Sequence, residues 1–235
     1  GGRVDRRSAV GPEECHRVPT QLSEVDVERL VGRRRDLHDS DILRVGQRER
    51  EVRSADDGLG RHDVGDLDGV VRVVEAQRVV GFIRQHAASY DFDPILIAAQ
   101  GYQESGLDQS VRSHAGAIGI MQVLPSTAAD PNVGIPDIEI ADHNVEAGVK
   151  YLRFLREQYF REPGIKDFDG ALLTFAAYNA GPGNIRKARR RAEAMGLDPD
   201  VWFGNVEISA ARTISREPVV YVRNILKYYT AYNLY

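Results

Sequence analysis

An all-α fold is predicted by three features of the sequence. Several segments in the second part of the chain repeat apolar residues at intervals of three and four, the spacing of one helix face. Helix-start signals and stops rich in Gly or Pro separate these segments. The 235 residues contain no clear run of alternating apolar and polar residues and no internal repeat. We therefore predict a helical domain without a sheet.

The composition changes near residue 75 and divides the chain into residues 1–75 and 76–235. The first part has no Phe, Tyr, Trp, Lys, Asn or Met and is rich in charge. Such a segment has difficulty burying enough apolar surface to offset its chain entropy. We expect a poorly structured N-terminal arm with one short helix at residues 23–31. The alternative is that this segment is the truncated or misframed start of a gene and not native sequence.

The helices of the second part follow from caps and periodicity. Asp93 and Pro94 form an N-cap followed by proline at the first helical position. Asp142 begins a long helix whose inner face carries Val145, Val149, Leu152, Leu155 and Tyr159. The remaining predicted helices cover residues 70–90, 95–104, 125–127, 168–178, 183–195 and 219–232.

Composition also excludes several classes of function. A net charge of −4 argues against general binding of polyanions, so no nucleic-acid partner is predicted. The basic run from Arg186 to Arg191 is interpreted as a solvated helix face. The single Cys15 excludes an intrachain disulfide and a Cys-based zinc cluster, and no histidines show ligand spacing. We predict no metal and no cofactor. No apolar run approaches the roughly 18 residues of a membrane span.

Glu104 is the strongest candidate for a catalytic residue. No charge lies between Asp93 and Glu104, and Ile95, Leu96 and Ile97 begin a helix that is apolar on all sides. We expect desolvation and the negative end of the helix dipole to raise the pKa of Glu104. A carboxyl in this state can donate a proton near neutral pH. The alternative is a glutamate at the helix end that points into solvent, and this helix alone does not decide between them.

Four motifs occur in a specific order: ES at 104–105, GAIGIMQVLP at 116–125, AYNAG at 177–181 and REPVVYV at 216–222. In this order they resemble the lysozyme-like lytic transglycosylases of family 1, the SLT domain. The resemblance covers about residues 76–235 and is nearest to the membrane-bound lytic murein transglycosylase F type. It implies an all-α fold of the lysozyme-like class that includes goose-type lysozyme.

The resemblance assigns roles to individual residues. It implies that Glu104 is the single catalytic acid and base, that Ser113 hydrogen-bonds its carboxyl, and that Tyr178 stands beside it. The residues implied to bind substrate are Ser105, Met121, Gln122, Asn179 and Glu217. Pro218 replaces the family's Thr after Glu217, which removes a hydroxyl and a backbone N–H from that corner. Second carboxylates remain open alternatives, with Asp108, Glu139 and Asp142 as the candidates.

The late tyrosines offer a further surface for sugar stacking, comprising Tyr221, Tyr228, Tyr229, Tyr232 and Tyr235. Aromatic side chains do stack on sugars, but this spacing suits a helix packed on the core. We therefore predict that most of them pack.

The implied function is cleavage of peptidoglycan glycan strands between N-acetylmuramic acid and N-acetylglucosamine without water, giving 1,6-anhydro ends. The resemblance also implies a periplasmic or outer-membrane location and allows peripheral membrane association of the full-length protein. Two rival hypotheses stay open at this point. One is a hydrolytic lysozyme-type muramidase, and the other is a catalytically silent peptidoglycan-binding module.

Overall fold

The computed structural model describes the backbone of residues 64–234 and the side chains of residues 74–234. The described helices are α1 (Val64–Ser89), α2 (Pro94–Ser105), α3 (Pro125–Ala129), α4 (Ala141–Tyr159), α5 (Asp167–Ala180), α6 (Pro182–Ala194), α7 (Glu207–Thr213) and α8 (Glu217–Asn233). Within this part of the chain there is no strand, so the predicted all-α class is confirmed. The predicted N-terminal arm and its short helix lie outside the described residues, apart from the start of α1.

Helix α1 crosses the predicted boundary at residues 75 and 76, so the helical part of the chain begins before that boundary. Its buried residues Ala76, Val80, Ile83 and Ala87 follow the intervals of four and three that place side chains on one face. This face packs on α2 and α4.

Helix α2 is the central element. The side chain of Asp93 accepts a hydrogen bond from the Ile95 N–H at 2.8 Å, with Pro94 in the first turn, as predicted. At the other end Gly106 adopts φ 67°, a left-handed conformation that suits glycine, and ends the helix. Between these caps the helix packs against α1 and α8. An apolar helix covered in this way fixes the place where its last turn lies.

Helices α4, α5 and α8 contribute a further large part of the core. The predicted inner residues Val145, Val149, Leu152 and Leu155 are fully buried, and Tyr159 is half-buried. Sequence periodicity missed α7 and the irregular turn Trp202–Val206 before it. That turn breaks helical geometry at Phe203 and Gly204, so it carries no helical repeat.

Residues 106–124 form a loop that packs against the start of α4. The loop contains two isolated antiparallel bridges, Arg112 with Ile118 and Ile118 with Val123. The fully buried side chain of Asn144 accepts a hydrogen bond from the Met121 N–H at 2.8 Å. Its amide donates to the carbonyls of Ile118 and Ile138 at 2.8 Å and 3.1 Å. The bonds to Met121 and Ile118 tie the loop to α4, and the bond to Ile138 ties the following segment to the same side chain.

Among the described helices, none has the combination of length and hydropathy that a transmembrane helix requires.

Close packing between α4 and the loop predicts opposite effects for two glycine substitutions. A Cβ at Gly148 would lie 2.6 Å from Cβ of Met121, whereas a Cβ at Gly81 of α1 would meet no atom within 4 Å. Alanine is favoured over glycine by about 1 kcal/mol in a helix, but overpacking costs about 1–3 kcal/mol. We expect Gly81→Ala to stabilise the protein and Gly148→Ala to destabilise it.

Urea denaturation of both variants measures these changes in the free energy of unfolding. Gly81→Ala is the matched control for helix propensity. Equal stabilisation by both substitutions would contradict the contact between Gly148 and Met121.

Candidate active site

Glu104 lies in the last turn of α2, where its side chain is largely buried. Desolvation by burial raises its pKa from 4.5 to about 7, against the opposing effect of one hydrogen bond. The predicted direction of the shift and desolvation as its main cause are confirmed, while the contribution of the helix dipole stays a prediction. At neutral pH the acid and the carboxylate of Glu104 are both well populated.

Tyr221 supplies that hydrogen bond from α8. Its hydroxyl donates to Oε1 of Glu104 at 2.5 Å, a charge-assisted contact across two packed helices. Burial, and next the charge of Glu104, raise the pKa of Tyr221 well above its ordinary value, so it remains a neutral donor. The sequence correctly predicted that Tyr221 packs in the core. It missed the role of the hydroxyl, although Tyr221 belongs to the quoted REPVVYV motif.

Tyr178 lies on the same side of the site, in the last turn of α5. Its hydroxyl donates to the carbonyl of Met121 at 2.8 Å, and its ring packs 5.3 Å from the ring of Tyr151. Burial raises its pKa, and the charge of Glu104 is the second cause, so the two side chains are close. Tyr178 thus holds the loop at Met121 beside Glu104. The described residues show no hydrogen bond from Tyr178 to the carboxyl itself.

Ser113 lies in the loop, where its hydroxyl accepts a hydrogen bond from the Ala117 N–H at 2.9 Å. Its own N–H donates to the carbonyl of Ala117 at 3.0 Å, which closes a tight turn. In the described part of the chain, Ser113 makes no hydrogen bond with Glu104. Its expected contact with the carboxyl therefore remains a hypothesis.

Gln122 has a left-handed backbone with φ 47°, which is uncommon for a residue other than glycine. Its amide donates to the carbonyls of Gly119 and Val111 at 2.9 Å and 3.3 Å. These bonds fix a half-buried polar side chain in the loop next to Met121. Strained backbone held by its surroundings is often found at functional sites.

Ser105 and the backbone near Met121 were expected to bind substrate, and both expectations stay predictions. Ser105 is buried, and its hydroxyl donates to the carbonyl of Ile120 at 3.0 Å and accepts from the Asp108 N–H at 3.0 Å. Met121 is fully buried and its carbonyl is bound by Tyr178. The buried side chains of both residues support the loop from within the core.

Asn179 and Glu217 mark the edges of the region. Asn179 is half-buried in the last turn of α5 next to Tyr178. Glu217 is exposed at the start of α8, one helical turn before Tyr221. Pro218 lies in the first turn of α8, where a backbone N–H has no partner within the helix, so the proline fits there.

The candidate second carboxylates are all engaged elsewhere. Asp108 accepts hydrogen bonds from Ser110, Glu139 pairs with Arg112, and Asp142 pairs with His86 at 2.6 Å. Burial and the Tyr221 hydrogen bond are the causes of the shift in the pKa of Glu104. Glu139 and Asp142 thus have partners other than Glu104.

Metal ligands and the basic run are the other features of the described part of the chain that bear on function. No group of three or more His, Cys, Asp or Glu side chains is arranged there to hold a metal. In the basic run, Arg186, Lys187, Arg190 and Arg191 are exposed as predicted. Arg189 is the exception, since it is half-buried and bonds Asp200 and Glu162 at 2.5 Å and 3.0 Å.

The raised pKa of Glu104 predicts a stability that depends on pH. Between pH 4.5 and about 7 the folded state binds more protons than the unfolded state, so stability falls as the pH rises through this window. The decrease in the free energy of unfolding reaches up to about 3 kcal/mol above pH 7 and is absent below pH 4.5. We expect Glu104→Gln to remove this dependence and to be more stable than the wild type at pH 8.

The measurement is the free energy of unfolding between pH 4.5 and 8. Glu193→Gln, which alters an exposed glutamate on α6, is the control and should follow the wild type. Parallel curves for Glu104→Gln and the wild type would contradict the burial of an ionisable carboxyl at this position.

Comparison with known proteins supports the fold and the motif order. The family model described as the transglycosylase SLT domain matches residues 81–199. The chain is 35% identical over 162 residues to membrane-bound lytic murein transglycosylase F of Desulfosudis oleivorans, covering 63% of this chain and 34% of the relative. It is 36% identical over 187 residues to the protein of the same name from Maricaulis maris, covering 72% and 40%.

Among solved structures, the 70 kDa soluble lytic transglycosylase of Escherichia coli has a similar fold, with a TM-score of 0.50 and 22% identity. The similarity covers 66% of this chain and 24% of that structure. The chain thus spans between about a quarter and two fifths of the length of these proteins. Because the family model matches more than half of the residues of this chain, the chain belongs to the transglycosylase SLT domain family.

Proposed function

We propose that this protein is a peptidoglycan lytic transglycosylase that uses Glu104 first as an acid and then as a base. The observation that carries the proposal is a largely buried carboxyl with a pKa of about 7 that accepts a hydrogen bond from Tyr221. Most glycosidases place two carboxylates around the scissile bond. A site with one carboxyl of this pKa suits a reaction in which the same group gives and then takes a proton.

The first step breaks the bond between C1 of N-acetylmuramic acid and O4 of N-acetylglucosamine. Glu104, protonated, donates its proton to O4, and the bonding electron pair leaves with that oxygen. The acetamido carbonyl of the substrate supports the positive charge that develops at C1, as in other substrate-assisted glycosidases. Burial supports this step because it keeps a fraction of Glu104 protonated at neutral pH.

The second step closes the anhydro ring. Glu104, now ionised, removes the proton from the 6-hydroxyl of the same muramyl residue, and O6 forms a bond to C1. The carboxyl takes the O6 proton in place of the one that it gave to O4, so the cycle balances without water. Tyr221 stabilises the carboxylate between the two steps, because its hydroxyl donates to Oε1 throughout.

Around this centre the remaining polar groups are proposed to bind the glycan. Gln122 and Asn179 are half-buried on the loop and at the end of α5, and Glu217 is exposed one turn before Tyr221. Ser113 is proposed to orient the carboxyl, because its hydroxyl accepts from the Ala117 N–H through a lone pair and keeps its proton for donation. The proposed location is the periplasm or the outer membrane, by analogy with relatives whose names describe membrane-bound murein enzymes.

The central test is Glu104→Gln on purified peptidoglycan. The amide has nearly the same shape but cannot exchange a proton, so release of muropeptides should fall by roughly 10²–10⁴-fold. The wild type should release products with 1,6-anhydromuramyl ends, which mass spectrometry distinguishes by the loss of one water.

Glu193→Gln is the control and should keep wild-type release. Near-full activity of Glu104→Gln would exclude Glu104 as the acid. Products with reducing ends would instead identify a hydrolytic muramidase, and binding to sacculi without release would identify a binding module.

A further inference from the structure

Gln100 forms a hydrogen-bond chain with the two residues at the centre of the site. It lies in α2 one turn before Glu104, and its side chain is fully buried. Its Nε2 donates to the Tyr221 hydroxyl at 3.2 Å, and that hydroxyl donates to Oε1 of Glu104 at 2.5 Å. These two hydrogen bonds run from α2 to α8 and back to α2 at the carboxyl of Glu104.

The first bond sets the direction of the second. A tyrosine hydroxyl has one proton, and it donates that proton to one acceptor at a time. Because the amide N–H of Gln100 occupies the acceptor side of the Tyr221 oxygen, the Tyr221 proton is directed towards Glu104. Hydrogen bonds in series also polarise one another, which strengthens the contact with the carboxyl.

This direction decides which oxygen of Glu104 carries the catalytic proton. Oε1 accepts the hydrogen bond that Tyr221 donates. Oε2 has no hydrogen bond to the described residues and is not among their fully buried unpaired oxygens. With Oε1 occupied as an acceptor, the proton of the neutral acid belongs on Oε2, the oxygen that a substrate can reach.

An unpaired buried oxygen argues against a purely structural role for Gln100. Its carbonyl oxygen, Oε1, is the one fully buried side-chain N or O atom without a hydrogen-bond partner in the described part of the chain. A buried polar atom left unpaired destabilises a fold, and an apolar side chain of similar volume would avoid the penalty. An amide at this position is therefore explained by what its N–H does for Tyr221.

We propose that Gln100 is a positioning residue which, through Tyr221, keeps the acidic proton of Glu104 on Oε2. The inference rests on the proposed function, because it assigns how the same carboxyl is prepared for proton donation. Glu104 is faced by Tyr221 from α8 and by Tyr178 from α5, and both stay neutral. No other described titratable group shifts the pKa of Glu104.

The first test is Gln100→Met, which keeps the volume and removes the donor. We expect kcat for muropeptide release to fall by about tenfold, as for the loss of one ordinary hydrogen bond, with KM within about twofold. Because the carboxylate loses support, the pKa seen in the pH profile should move upwards. The midpoint of thermal unfolding should stay equal or rise, which separates this result from structural damage. Gln158→Met, on the exposed face of α4, is the control.

The second test is a double-mutant cycle with Tyr221→Phe. Since Gln100 acts through the Tyr221 hydroxyl, Gln100→Met should change kcat by less than about twofold when that hydroxyl is absent. Full additivity of the two substitutions would overturn the proposal. A tenfold loss in the single variant that came with an equal rise in KM or with a lower midpoint of unfolding would also overturn it.

A measurement on the wild-type protein does not depend on the folding of any variant. The side-chain amide signals of Gln100 in ¹⁵N–¹H NMR spectra should shift with pH at the midpoint of the Glu104 titration. The signals should lose this pH dependence in Tyr221→Phe. A wild-type signal that does not shift with pH would overturn the proposed series of hydrogen bonds. If the wild type releases no muropeptides, the proposed function fails, while this titration still tests the hydrogen bonds independently.

Discussion

The burial of one carboxyl at the end of an apolar helix is the constraint on which the site depends. Glu104 is held in a region that disfavours its charge because α2 is covered by α1 and α8. The only described side chain that hydrogen-bonds the carboxyl is Tyr221, so α8 must pack on α2 for the site to be complete. The contact of Tyr221 with Glu104 therefore depends on the packing of α8 on α2 and also sets the hydrogen bonding of the carboxyl. A buried carboxyl with a pKa near 7 lowers the stability of the fold above that pH. A group with such a pKa can both donate and accept a proton at neutral pH.

The second constraint is the main chain of the loop at 106–124. The side chains of Asn144 and Gln109 bind its backbone, and Tyr178 binds it at Met121. Gly119 brings the loop so close that a Cβ there would lie 2.4 Å from Oε1 of Gln109. The loop is restrained because the side-chain amides of Asn144 and Gln109 hold its carbonyls and N–H groups, and Gln122 is bound within the same loop to Gly119 and Val111.

Local patterns predicted much of this arrangement. The cap at Asp93, the apolar helix and the acid at its end can be predicted because they lie within twelve residues. The same patterns could not show that Tyr221 and Gln100 meet, since they are 121 residues apart and belong to different helices. Periodicity indicated that Tyr221 is buried but carries no information on where its hydroxyl points. The substrate contact expected of Ser105 stays a prediction for a related reason, because a motif does not distinguish a residue that contacts substrate from one that supports the loop.

The wide separation in sequence between Glu104 and Tyr221 has a consequence for biosynthesis. The two residues are 117 positions apart, so a growing polypeptide carries the acid long before it carries the hydroxyl that orients it. Until α8 has been made and has packed, the groove on α2 that it covers is open and the carboxyl is exposed to water, which lowers its pKa towards the ordinary value. The site is therefore complete only after α8, the last described helix, has been synthesised and has packed on α2.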